Sequence, residues 1–492
     1  MSEVIPTTDA GLERITMLTP RRARPEHRQH WSSPYAAKRI HLIGAGGCGM
    51  SGLAGVLLRC GAIVSGSDQV WAKTFDRLEE MGATLTLGHA PMSIPTDCEF
   101  VVYSAAIKDE NPELKEARRR GITCLKYAEM LGRVMALRTG IAIAGTHGKS
   151  TTTALLAFIL RQANVDPTFV VGAESRQLGG GSGVGDGPHF LVEACEYDRS
   201  FWNYHPQHAA ILNIEEDHLD CYKDLDAIIE AFNGFASRVA PSGTIVIHGE
   251  DPVVARAVRD VRAKVETFGL HDGANWRAVN LANSRGHYSF DIQRDGEFHL
   301  HADLENLPGR HQVGNALVAA ALAHHAGIKP AAVAEALTRF AGADRRISTR
   351  GEVGGVILVD DYGHHPTEIQ VTLHAVRERY PDRRLWVIFQ PHQHSRTRFL
   401  LDDFAASFGQ ADRLLVPDIY FVRDSEKERN SISSRHLVER VQANGGNALY
   451  LPSHDQIVEH IVDHIQSGDV VLTMGAGDVW KISDELVRRL AR

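Results

Sequence analysis

Short apolar runs recur along this chain and alternate with longer stretches whose apolar positions repeat at helical spacing. The runs read as buried strands, and the stretches between them as helices with one apolar face. Three βα-rich blocks emerge. The first opens with a strand at Arg39–Ile43, a glycine turn at Gly44–Gly49, and a helix with Leu53, Val56 and Leu57 on one side. Strands follow around Ile63–Val64, ending in Ser65-Gly-Ser-Asp68, and at Phe100–Tyr103, ending in Ser104-Ala-Ala106. The second block runs from the apolar stretch before Gly145 through strands His189–Glu193, Ala209–Asn213 and Thr244–His248. From Trp276 to Leu304 the period changes to two, with turns at Ser284-Arg-Gly286 and Asp295-Gly296, which predicts an antiparallel β appendage. Helices over Asn315–Ala326 and Pro330–Phe340 close this block. The third has strands at Val356–Val359, Leu385–Phe389, Arg413–Val416 and Val470–Thr473. Strands alternating with helices make parallel sheets, with ligands beyond the strand C-termini.

A length of 492 residues fits about three domains at ~150 residues each. A net charge of −8 is mild for this length and gives no electrostatic case for nucleic acid. No apolar run approaches the ~18 residues of a membrane span, so no membrane partner is expected. Residues 1–37 carry Arg21, Arg22, Arg24 and Arg28 among prolines and polar residues, without an apolar signal core, and are expected to be a disordered extension. Six cysteines without a C-x-x-C pair fit reduced thiols in a cytoplasmic protein.

The most specific chemistry lies at Gly145-Thr-His-Gly-Lys-Ser-Thr151, between a strand and a helix. Gly145 and Gly148 let the backbone turn its N–H groups onto an anion at the helix N-terminus. Lys149 can reach the outer phosphates, and Ser150 or Thr151 can offer a hydroxyl to Mg²⁺. Ile143 occupies the position of the first glycine of G-x-x-x-x-G-K-[ST], so the loop is a shortened phosphate cradle. A second loop fits G-x-G-x-x-G through Gly44, Gly46 and Gly49, with Asp68 where a ribose would be gripped. That pair alone fits an NAD-dependent oxidoreductase, but two anion loops suit an enzyme that joins a nucleotide-carried substrate to an ATP-driven step. Glu193 and His218, at or after strand ends beside the cradle, are candidate metal ligands; Glu196, Glu215 and Glu216 read equally well as solvated loop acids. Asn315 could read an adenine edge, and Arg346 suits a developing phosphoryl anion. His364, His365, His392 and His394 could suggest zinc, but no cysteine or E-x-x-H partner accompanies them.

Together these motifs resemble the Mur ligases of bacterial cell-wall synthesis. Gly44-Ala-Gly-Gly-Cys-Gly-Met-Ser-Gly52, Ser65-Gly-Ser-Asp68 and Asp360-Asp-Tyr-Gly-His-His-Pro366 point to the alanine-adding branch. The resemblance implies an α/β fold of three domains. These are a Rossmann-like UDP-substrate domain over 38–137, a central P-loop ATPase-type domain with the β appendage over 138–342, and a Rossmann-like C-terminal domain over 343–492. It implies the substrates UDP-N-acetylmuramate, L-alanine and ATP, with Mg²⁺ (Mn²⁺ as a substitute), in a cytoplasmic monomer or homodimer. It places Gly145, Thr146, His147, Gly148, Lys149, Ser150, Thr151, Asn315, Arg346 and Asp360 or Asp361 around ATP. Ser150, Thr151, Glu193 and His218 are implied at metal, and Lys149, Glu193, His218 and Arg346 in catalysis. Gly44, Gly46, Gly47, Gly49, Met50, Ser51, Ser67, Asp68 and Ser104 would hold the uridine diphosphate; Tyr362, His364, His392 and Arg396 would surround the amino acid, Arg396 pairing with its carboxylate. The chain departs from that branch at Gln312, usually Asn, and Gln393, usually Arg. It has no lysine over Asp224–Ala240, so no carbamylated lysine is expected there. The nearest rival is a recycling ligase that attaches a whole tripeptide; Tyr362-Gly363, in place of Phe-Ala, favours alanine.

Overall fold

The computed structural model describes residues 33–71, 73–218, 221–422 and 424–491. The expected disorder of residues 1–37 therefore falls mostly outside the described residues. Its last part is packed: Tyr35 is buried edge-on against Phe100, and Ala37 N–H donates to Gly61 O at 2.8 Å.

Five strands form the first sheet: β1 (Arg39–Ile43), β2 (Ile63–Asp68), β3 (Thr84–Leu87), β4 (Phe100–Tyr103) and β5 (Thr123–Lys126). All pair in parallel, in the order β3-β2-β1-β4-β5. The order reverses between β1 and β4, which opens a crevice where the Gly44–Gly49 loop leaves β1. The following helix, Cys48–Arg59, is buried from Met50 through Leu57. Its small residues are required by the neighbouring sheet: a Cβ on Gly52 would lie 2.8 Å from Ser182 Cβ.

Ten strands form the central sheet: β6 (Thr139–Ala144), β7 (Thr168–Val170), β8 (Ser182–Gly183), β9 (His189–Glu193), β10 (His208–Ile211), β11 (Thr244–His248), β12 (Lys264–Gly269), β13 (Trp276–Ser284), β14 (His287–Arg294) and β15 (Glu297–Asp303). Its parallel core runs β12-β11-β10-β6-β9-β7. The predicted antiparallel segment is continuous with this core, because β13 pairs in parallel with β12 through Phe268↔Trp276 and Gly269↔Arg277. Trp276 anchors the junction. It is fully buried, and its Nε1–H donates to Glu266 Oε2 at 2.8 Å. Helices Lys149–Gln162 and His311–His325 pack on each other and are buried along most of their length, so their sequences show little of the one-sided pattern of a surface helix.

The third sheet comprises β16 (Ser348–Val353), β17 (Val356–Asp361), β18 (Leu385–Phe389), β19 (Arg413–Val416), β20 (Ala448–Tyr450) and β21 (Val470–Met474). Both faces are covered: Ile357 and Val359 of β17 enter one core, Val356 and Leu358 another. No helix among the described residues is long and apolar enough to cross a membrane.

Candidate active site

The loop after β6 is held in a shape that only small residues permit. Gly145 and Gly148 have φ of +145° and +83°; an added Cβ would come within 2.9 Å of Leu212 Cβ and of Asn315 Oδ1 respectively. Cross-ties fix the loop to the end of β10. Thr146 N–H donates to Asn213 O at 3.0 Å, His147 N–H to Asn213 Oδ1 at 2.8 Å, and Glu215 N–H to Thr146 Oγ1 at 2.9 Å. Helix Lys149–Gln162 starts from Gly148 with no side-chain cap, which leaves first-turn N–H groups for an anion. Lys149 Nζ folds back onto Gly145 O (2.5 Å) and Thr146 O (3.0 Å) and lies 3.0 Å from each oxygen of Glu196. Burial opposes its charge, but the Glu196 carboxylate outweighs that and raises its pKa above the ordinary value. Lys149 is thus a fixed cation.

Glu193 ends β9 beside Ile143 of β6, as its strand pairing demands, and accepts Gly172 N–H at 2.7 Å. The acid that touches Lys149 is Glu196, which is buried rather than solvated and lies 3.7 Å from His218 Nε2. His218 sits at φ +54° with Asp217 Oδ2 at 3.9 Å. Arg396 Nη2 donates to Asp217 Oδ1 at 2.7 Å, a nearly buried pair spanning the central and third sheets. Burial works against the Asp217 charge, and Arg396, His218 and His364 overcome it and hold the carboxyl far below its usual range. Leu219 and Asp220 of this loop lie outside the described residues.

A cavity of about 930 Å³ separates the central and third sheets, lined by His147, Gly148, Thr151, Asn315, Arg346 and Asp361 among others. That volume is in the range of a nucleotide site. Arg346 Nη2 donates to Ser150 Oγ at 3.5 Å. Of the two adjacent acids, Asp361 lines the cavity, accepting Ile347 N–H (2.8 Å) and Gly363 N–H (2.7 Å); burial pushes its pKa up to about 6. Asp360 is committed elsewhere, to Arg345 Nε at 2.9 Å and Thr473 Oγ1 at 2.7 Å. Asn315 Nδ2 donates to Gln312 Oε1 at 2.8 Å, so the unusual glutamine supports the asparagine.

Tyr362 carries the guanidinium groups of Arg345 and Arg346 each 5.1 Å from its ring. His364 Nδ1 lies 3.2 Å from Tyr362 O, and burial lowers its pKa to about 4. Its ring is 5.9 Å from His392, which stacks on Tyr420 at 5.6 Å. Gln393 takes φ +70° at the start of helix His394–Phe399. The four histidines of this region do not converge on a point. Among the described residues, the one group with metal-ligand spacing is His147, Glu215 and His365.

At the first loop, Gly46 N–H donates to Asp68 Oδ2 at 2.9 Å. A Cβ on Gly49 would meet the Tyr127 hydroxyl at 2.8 Å, and one on Gly44 would meet Ser104 Cβ at 3.2 Å. Ser51 Oγ donates to Cys48 O. Met50 lies in the core, and buried Ser67 donates to Glu113 Oε2 at 2.5 Å. Gly46, Gly47 and Asp68 remain accessible.

Residues 39–139, 143–323 and 345–477 match in turn the Mur ligase family catalytic domain, the Mur ligase middle domain and the Mur ligase glutamate ligase domain. The chain belongs to the Mur ligase family. It is 42% identical over 452 residues to the UDP-N-acetylmuramate–L-alanine ligase of Alkaliphilus metalliredigens, covering 92% of this chain and 97% of that one. The crystal structure of the UDP-N-acetylmuramate-alanine ligase of Thermotoga maritima superposes with a TM-score of 0.75 at 26% identity, over 92% of this chain and 98% of the other. A murein peptide ligase from Psychrobacter arcticus has a TM-score of 0.69 at 26% identity, over 92% and 99%. As a Mur ligase, the chain carries Gly44–Gly49 within a Mur ligase domain, and the oxidoreductase reading of that loop falls away. Two acids of this Mur ligase went unassigned in the sequence, Asp217 and Glu368, while Glu196, read equally well as a solvated loop acid, is buried on Lys149. Glu368 accepts His364 N–H at 2.8 Å and lies 3.2 Å from His147 Nδ1. Its signal was local, an acid at the third position of a helix opened by Pro366.

Proposed function

We propose that this chain is the ligase that joins L-alanine to the lactyl carboxylate of UDP-N-acetylmuramate, releasing ADP and phosphate, in the cytoplasm. The observation that carries the reading is a mostly enclosed, charged Lys149 in a phosphate loop that opens onto a cavity walled on its far side by Arg346 and Asp361. A separate glycine loop on another sheet supplies a second anion site for the sugar nucleotide. Curated relatives of that name, near 40% identical over most of their length, support the choice of substrates.

In the proposed reaction, a lactyl carboxylate oxygen attacks the γ-phosphorus of ATP, and ADP leaves with the P–O bonding pair. The neutral amine of alanine then adds to the carbonyl of the acyl phosphate, and the tetrahedral adduct expels phosphate as the amine sheds its proton. The carboxylate must approach a polyanion, so charge screening is the chief requirement. Lys149 and Arg346 offer fixed positive charge on two sides of the phosphate path. Ser150, Thr151 and Glu193 are hard oxygen donors of the kind that fits Mg²⁺, and Glu193 is close enough for its charge to act on Lys149. When bound, Mg²⁺ would neutralise phosphate charge. Arg396, already positioned by Asp217, is the group proposed to meet the alanine carboxylate; Asp361 is proposed to contact the ribose.

The test is ADP release from ATP and UDP-N-acetylmuramate with L-alanine, glycine, L-serine or the murein tripeptide as amine. L-Alanine should give the highest kcat/KM. Activity with the tripeptide alone would assign the chain to the recycling ligases, and no ADP with any amine would refute the ligase reading.

A further inference from the structure

His147 projects from the phosphate loop, Glu215 from the segment after β10, and His365 from the N-cap of helix Pro366–Arg379. One ligand atom from each lies within 4.8 Å of the others. His147 Nε2 is 3.5 Å and His365 Nδ1 3.8 Å from the same oxygen, Glu215 Oε2. We propose that these three side chains form a site for a borderline divalent cation of the Zn²⁺ class, distinct from the oxygen donors suited to Mg²⁺.

Each imidazole is oriented by its other nitrogen. His365 Nε2 lies 3.1 Å from Glu216 O and so carries the proton, which leaves the Nδ1 lone pair directed at Glu215. His147 Nδ1 faces the Glu368 carboxylate at 3.2 Å and Nε2 faces Glu215 at 3.5 Å, so a cation bound at Nε2 takes the place of the proton that the two carboxylates favour there. A carboxylate or carbonyl behind each ligating histidine is the outer-shell arrangement that fixes the ring and raises its basicity. Thr367 Oγ1 donates to Glu215 Oε2 at 2.5 Å and steadies the third ligand. Two imidazoles and one carboxylate select Zn²⁺, Co²⁺ or Ni²⁺ over Mg²⁺. Bond lengths near 2.0–2.2 Å put tetrahedral donors about 3.3 Å apart, so the two edges to Glu215 are nearly formed and only the imidazole–imidazole edge must close. At His365 the competing contact is weak: Thr367 N–H lies 3.3 Å from Nδ1. His147 and Glu215 both line the large cavity, so the remaining coordination positions open into it.

His147 and Glu215 belong to the central domain and His365 to the third. A bound cation therefore staples the phosphate loop to the opposite wall of the nucleotide cavity. Zn²⁺ at this site should hold the two domains together and slow turnover. The binding claim stands on the three side chains alone; the inhibition claim rests on the ligase reading.

Co²⁺ titrated into the full-length protein with excess Mg²⁺ is the probe. One equivalent should give visible absorption of a low-coordinate nitrogen–oxygen site, and Zn²⁺ should displace it. His365→Asn keeps a helix N-cap while removing the imidazole, and His147→Asn changes the loop instead. Both should lose the absorption with circular dichroism unchanged. His464→Ala, which breaks the exposed His460–His464 stack, should keep it. Absorption that survives in His365→Asn and His147→Asn, or that disappears in His464→Ala, overturns the site. In the ADP-release assay, Zn²⁺ in slight excess over enzyme should slow the wild type and leave His365→Asn at its own rate. Equal slowing of both overturns the staple, whereas Co²⁺ binding without any ADP release counts against the ligase reading instead.

Discussion

Lys149 and Glu196 hold each other in place inside the protein, so the consequences of removing one can be separated from catalysis. Lys149→Ala should lower ADP formation by a factor of about 10²–10³ or more, as expected for losing a fixed charge at the reacting phosphate. Calorimetric affinity for UDP-N-acetylmuramate should stay nearly intact, because that substrate is proposed to bind the first sheet. The same variant leaves a buried carboxylate unpaired, at about 3–5 kcal/mol of stability. Adding Glu196→Gln should recover much of that loss in urea unfolding while restoring no turnover. Asp217→Asn tests the other buried pair: stability should fall by a similar ~3–5 kcal/mol, and KM for L-alanine should rise as Arg396 loses its support. An unchanged KM would remove Arg396 from the amino-acid site. Lys149 was readable in the sequence because its motif is local, whereas the pairing of Glu196 with it and of Asp217 with Arg396 was not. The partners lie 47 and 179 residues apart, a proximity that only the folded sheets create.

Histidines gather at one end of the central sheet, and their packing makes stability depend on pH. His189 and His208 begin β9 and β10, and His208 stacks on His325 at 5.1 Å. Burial, then the neighbouring His325 and His189, lowers the His208 pKa from 6.5 to about 4. Between those values the unfolded chain binds a proton that the folded chain refuses, so stability rises with pH across that window and is complete above it. Urea midpoints should therefore fall from pH 7 to pH 5, and His208→Gln should flatten that fall; an unaltered slope would clear His208 of the effect. The strand pattern placed the start of β10 one residue late, at Ala209, and so omitted His208. Phe100–Tyr103 and Leu385–Phe389, by contrast, were fully legible as short apolar runs. Short strands such as β3, β8 and β20 lack such runs and passed unseen. The start of helix His311–His325 was also missed, because a helix buried nearly all round loses its period.

Across the molecule, the proposed ATP site is a cavity between two sheets, walled by residues that lie far apart in the chain. The Gly145–Thr151 loop and Asn315 come from the central sheet and its helices, and Arg346 and Asp361 from the segments before β16 and at the end of β17 in the third; the Gly44–Gly49 loop of the first sheet lies apart from this cavity. Strand alternation was enough to anticipate three α/β blocks, and the glycine spacing to anticipate the two tight turns after β1 and β6. What the chain order could not give was which residues face each other across the cavity, such as Arg346 against Ser150 or Asp361 in preference to Asp360. The central claim is that a carboxylate, rather than water or a hydroxyl, receives the γ-phosphoryl group. UDP-N-acetylmuramate labelled with heavy oxygen in its lactyl carboxylate tests it directly, by mass spectrometry of the phosphate released during one round of alanine addition. Transfer of one labelled oxygen into that phosphate is the predicted result; unlabelled phosphate released alongside the alanylated product would contradict it.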